Sequence, residues 1–140
     1  MNHIVLIACA NQKQEHAAPA RDLYQSPLFR KSLRYAEDVL APDQVFVLSA
    51  KHHLLPLDEE IAPYDCTLNE MGAAEVRAWS ETVLEQLEQK TDPEEDRFTI
   101  LAGEKYRQHL DPYLPHTEVP MEGLRIGEQL RFLNEAVNGE

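Results

Sequence analysis

His3-Ile4-Val5-Leu6-Ile7-Ala8-Cys9 is a continuous apolar run rich in β-branched residues. A strand with one wet face alternates apolar and polar side chains. A run without alternation fits a strand buried on both faces, as in a parallel sheet covered by helices. Gln44-Val45-Phe46-Val47-Leu48-Ser49 and Phe98-Thr99-Ile100-Leu101-Ala102 read the same way, and Thr117-Glu118-Val119 reads as a short fourth strand.

Helical stripes separate these runs. Ser26-Pro27 is an N-cap followed by a first-turn proline. Leu28, Phe29, Leu33, Ala36 and Leu40 then recur on one face, and Pro42 ends the helix. A second helix is predicted from about Asn69 to Gln89, with Val76, Trp79, Val83, Leu84 and Leu87 as its stripe. A short one follows from Glu104 to Leu110, stopped by Pro112. A last one carries Ile126, Leu130, Leu133 and Val137 and stops at Asn138-Gly139. The passage Ala50 to Leu68, with Pro56 and Pro63, is predicted to be irregular. The acidic turn Asp92-Pro93-Glu94-Glu95-Asp96 and the end at Gly139-Glu140 are the expected loose spots. Alternating strands and helices predict an α/β fold. Its form is a three-layer sandwich in which a mostly parallel sheet of about four strands is flanked by helices, with residues 1–140 as one domain.

Composition narrows the function. Two cysteines, Cys9 and Cys66, are too few for a secreted disulfide framework and read as reduced and cytoplasmic. No secretory leader and no apolar run of membrane-spanning length is read. Cys-x-x-Cys, His-Glu-x-x-His and Gly-x-x-x-x-Gly-Lys are absent, so the motifs call for no metal and no cofactor. The net charge of −12 disfavours general DNA binding. Residues 57–99 hold three Lys/Arg against thirteen Asp/Glu, which reads first as a solvated face. A modest basic cluster, Arg21, Arg30, Lys31 and Arg34, offers a dock for an anionic group.

In open parallel sheets, ligands bind beyond the carboxyl ends of the strands. That rule collects Cys9, Asn11 and Lys13 after the first strand, and Ser49, Lys51 and His52 after the second. It adds Gly103, Glu104, Lys105 and Tyr106 after the third, and Pro120 to Gly123 after the fourth. Each has a plainer reading. Cys9 is a small buried hydrophobe unless a cation such as Lys13 activates it. Ser49-Ala50-Lys51-His52-His53 places a hydroxyl, an ammonium and two imidazoles after a buried strand, suited to an anion and to proton transfer near neutral pH, or else simply anchors a loop. Adjacent histidines share no strand or helix face, so the pair makes no metal site. Pro63-Tyr64-Asp65 brings a carboxylate to the pocket mouth or is a turn. The start of the first helix, near Arg21 and Tyr24, exposes N–H groups suited to an anion.

Several of these strings occur in a fixed order. They are Ile7-Ala8-Cys9 with Lys13, Pro19 to Ser26, Leu48 to Leu55, Pro63-Tyr64-Asp65, Ala102 to Tyr106 and Gly123 to Gly127. Together they resemble a family of bacterial and phage domains catalogued as domain of unknown function 6884, over about Ile4 to Leu133. One departure is His53, where that family usually has Gly; the turn either avoids a left-handed conformation or tolerates strain. More distantly, Leu48 to Tyr64 resembles the peroxide-stress YaaA proteins, which are larger and associated with DNA binding. The fold is similar to those of the uracil-DNA-glycosylase type and to accessory domains of deazaguanine tRNA-modifying enzymes.

These readings predict a ligand pocket at the strand ends, in a protein that is an enzyme or a former one acting on a nucleotide or nucleobase-like small molecule. Lys13, Arg21 and Lys51 would meet an anionic group. Tyr24 or Tyr106 would contact a ring, Cys9, Ser49 and Gly103 would line the site, and His52, Asp65 or Glu104 would move a proton. The alternative is a non-catalytic protein that binds nucleic acid or a partner in stress response or phage defence.

Overall fold

The computed structural model describes residues 1–10 and 13–138. Its elements are β1 (His3–Ala8), β2 (Ala18–Pro19), α1 (Ala20–Leu23), α2 (Pro27–Arg34), β3 (Gln44–Ser49), β4 (His53–Pro56), β5 (Glu60–Ile61), α3 (Ala73–Lys90), β6 (Arg97–Leu101), α4 (Glu104–Arg107), β7 (Thr117–Glu118) and α5 (Ile126–Val137). Helix α2 runs on through a wider π-helical segment, Tyr35–Leu40, and ends on Ala41 in the left-handed conformation. Five strands form the main sheet in the order β4-β3-β1-β6-β7. Strands β1, β3, β6 and β7 are parallel and β4 is antiparallel.

The unalternating runs are buried on both faces, as predicted. Val5, Ile7, Val47 and Leu101 pack with Phe29 and Leu33 of α2 and Leu133 of α5. Ile4, Leu6, Leu48, Phe98 and Ile100 pack on the other face with Trp79, Val83 and Leu87 of α3. Successive strand residues thus point alternately into two helix layers.

Two expectations need correction, and one open alternative is decided. Ala50 to Leu68 is not irregular: it holds β4, β5 and the start of a 3-10 turn at Leu68–Glu70, so the sheet has five strands. His53, the first residue of β4 after the hairpin turn, has a left-handed φ of 63°, so of the two alternatives for this departure the strained one holds. The acidic turn is stapled, because the buried Asp96 carboxylate accepts from Asn2 N at 2.9 Å and Asp92 N at 2.8 Å.

Element ends also moved. Helix α3 starts at Ala73, beyond Gly72, and α4 spans one turn, with Pro112 inside a separate 3-10 turn. Ile126 is exposed at the start of α5. The expected stop at Asn138 is the end of α5, while Asn11, Gly139 and Glu140 lie outside the described residues. At the sheet's rim, Gln86 of α3 accepts the Leu54 N–H of β4 at 2.8 Å. Among the described residues no helix is long and apolar enough to cross a membrane.

Candidate functional site

In the order β3-β1-β6-β7 the chain builds outward from β1 first to one side and then to the other, so the direction reverses between β1 and β6. The connections diverge there and leave a crevice at the carboxyl ends of the strands. A cavity of about 630 Å³ occupies that place. Ile7 to Ala10 of β1 and its loop, and Ile100 to Glu104 of β6 and its loop, form two sides. The first turn of α2, including Leu28 and Phe29, forms the third, and the segment Val119 to Leu124 closes the fourth. Most of this wall is apolar. Its charged members are Glu104, Arg107 and Glu122.

Cys9 connects the cavity to a polar cluster. Its backbone N–H donates to Leu48 O at 3.0 Å, and its Sγ lies 3.3 Å from the Tyr106 hydroxyl. Burial pushes the Tyr106 phenol up, with the Cys9 thiol adding to the effect.

Beside Cys9, three hydroxyls meet. Tyr64 Oη is 2.6 Å from Tyr24 Oη and 2.8 Å from Ser49 Oγ. The His52 backbone N–H donates to the same Ser49 Oγ at 2.9 Å, and Trp79 Nε1 donates to Ser49 O at 2.8 Å. Ser49 and Tyr24 are fully buried. Burial raises Tyr24 to about 12 and also raises Tyr64, so both phenols stay protonated at neutral pH. Lys13 Nζ lies 4.4 Å from the centroid of the Tyr64 ring and 5.8 Å from that of Tyr24. Burial lowers the Lys13 pKa, against the pull of Cys9, Asp65 and Cys66 nearby. The His52 ring stands edge-on to Tyr64, and burial, helped by Lys51, lowers its pKa.

The sequence candidates therefore divide into four groups. Cys9, Gly103 and Glu104 line the cavity. Lys13, Tyr24, Ser49, His52 and Tyr106 belong to the adjoining cluster, with exposed Asp65 near Lys13. Lys51 is exposed on the β3–β4 hairpin.

Arg21 is placed elsewhere. It bonds Glu37 at 3.1 Å and Asp58 at 3.3 Å, alongside Gln44 and Val45 at the opposite end of β3. The rest of the basic cluster is committed as well: Arg34 to Asp38, Lys31 to Asn134, and Arg30 to the Arg21 carbonyl. The expected anion dock on that cluster is taken up by internal partners.

Sequence reading did not single out Arg107. Its position three residues after Glu104 was the available signal, since that spacing puts both on one helix face. Nor did it assign a role to the Tyr64 hydroxyl, which both Tyr24 and Ser49 reach.

The layers, the strand order and the crevice at its reversal define a three-layer α/β protein. Within that class the chain belongs to the family of unknown function DUF6884, whose family model matches residues 4–135. No curated protein and no solved structure matches the chain.

Proposed function

We propose that this protein binds a small planar ligand of nucleobase or nucleotide type in the cavity at the carboxyl ends of β1 and β6. The observation that carries the reading is a mostly apolar cavity of about 630 Å³ at the point where the strand order reverses. Pockets for small ligands are mostly apolar slots of this size with a few fixed polar groups. Phe29 and Leu28 on one side and Met121 and Leu124 on another suit the faces of a flat ring. The Cys9 thiol lies in the wall, with the Tyr106 phenol beside it and Lys13 nearby.

Gly103 gives a clean test. Its φ of −69° is open to any residue, and a Cβ built there meets nothing within 4 Å. Gly103→Phe therefore adds a ring to the cavity wall without backbone strain. In a thermal-shift screen of nucleobases, nucleosides and nucleotides, stabilisation of the parent protein should vanish in Gly103→Phe while the unliganded melting temperatures stay alike. Shifts that survive the substitution would place the ligand elsewhere.

A further inference from the structure

Arg107 is a guanidinium in the cavity wall that spends little of its hydrogen-bonding capacity. Its side chain is 13% exposed. Among the described residues it makes one hydrogen bond, Nη1 to Asp111 at 3.2 Å. Nη2 lies 3.9 Å from Glu122, beyond hydrogen-bond reach, and Nε is buried with no acceptor. An arginine carries five N–H donors, and buried donors left unpaired are costly enough to be rare. One turn back on the same face of α4, Glu104 also lines the cavity, and its carboxylate has no bonded partner among the described residues.

We infer that the cavity reads a neutral heterocycle by its ring-amide edge, a ring carbonyl beside a ring N–H. This rests on the ligand-site reading above and narrows it. Arg107 donates to the carbonyl after a small rotation that frees its shielded N–H groups, and Glu104 accepts from the N–H. The charge balance selects a neutral partner. Arg107 already faces Asp111 and Glu122, and Glu104 adds another carboxylate. A phosphate placed among those carboxylates is repelled, whereas a ring amide satisfies a donor and an acceptor without adding charge. Any phosphate on the ligand stays outside the cavity.

The test is calorimetric titration of the full chain with inosine, guanosine and uridine, which carry the ring amide, and with adenosine and cytidine, which lack the ring N–H. Each is also tried as its 5′-monophosphate. The ring-amide nucleosides should bind at least tenfold tighter than adenosine and cytidine, and the added phosphate should bring no gain. Glu104→Gln and Arg107→Lys should each weaken the ring-amide nucleosides by about tenfold or more and leave the weak ligands unchanged, since a site that bonds an edge rejects analogues lacking it. Glu104 is exposed, so its variant folds even if Arg107→Lys does not. Equal binding of adenosine, tighter binding of monophosphates, or full affinity in both variants overturns the edge assignment. Binding that Gly103→Phe abolishes would in that case leave the cavity reading intact. Absence of any binding sensitive to Gly103→Phe overturns both.

Discussion

Tyr64 Oη stands 2.8 Å from Ser49 Oγ, which ties the segment after β5 to the last residue of β3. The same phenol oxygen is 2.6 Å from Tyr24 Oη, in the segment before α2. Tyr64→Phe deletes both bonds, taking the partner from the buried Tyr24 hydroxyl and leaving Ser49 Oγ with the His52 N–H alone. The cost should be about 1–3 kcal/mol in urea unfolding. Because the phenols share a bond, Tyr24→Phe with Tyr64→Phe should cost less than the sum of the single changes. Additive costs would show that the two hydroxyls do not stabilise each other.

His53 holds a φ of 63° at the β3–β4 hairpin. That conformation costs an ordinary L residue about 1–2 kcal/mol and costs glycine nothing. Glycine returns about 0.4–1 kcal/mol of this through its freer unfolded chain. The imidazole also stacks on Trp79 with ring centroids 6.4 Å apart, and that contact would be lost. Both His53→Gly and His53→Ala lose the stacking, but only glycine sheds the strain, so His53→Gly should be the more stable of the two by about 0.5 kcal/mol. His53→Ala keeps the strain and loses the stacking, so it should destabilise. Two losses of equal size would mean that the backbone there carries no strain.

Asp96 is buried and accepts two backbone N–H groups, which hold its carboxyl below the usual carboxylate range. A depressed folded pKa contributes stability above the unfolded value of about 3.9, and this contribution is lost as pH falls through the folded value. Stability should therefore drop in acid below about pH 4. Asp96→Asn should cost about 1–3 kcal/mol at neutral pH and flatten that acid limb. Identical acid limbs in the two proteins would remove Asp96 from the account.

The buried strands were legible because apolar runs such as His3 to Cys9 have one physical solution in a protein of this size. Strand β4 was not. His53 to Pro56 is short, ends in proline and starts on a left-handed residue, so local preference argues against it. Pairing with β3 and burial of Leu54 and Leu55 on opposite faces override that preference. At the site, the strand-end rule located Cys9, Gly103 and Glu104 by position along the chain. Arg21 was chosen for its charge and not by that rule, and its partners Glu37 and Asp58 come from a π-helical turn and a loop with no readable spacing to it. Arg107 and the Tyr64 contacts depend on tertiary packing, which one-dimensional spacing does not encode.

The Gln86 amide on the Leu54 N–H has a consequence for how molecules meet. A strand at a sheet's border ordinarily offers unpaired backbone groups that invite another chain to zip on, the first step toward fibrils. Here a donor on that border is already occupied from within. Pro56 ends the strand and has no N–H to offer, so lateral growth of the sheet from this side is blocked by the molecule's own side chains.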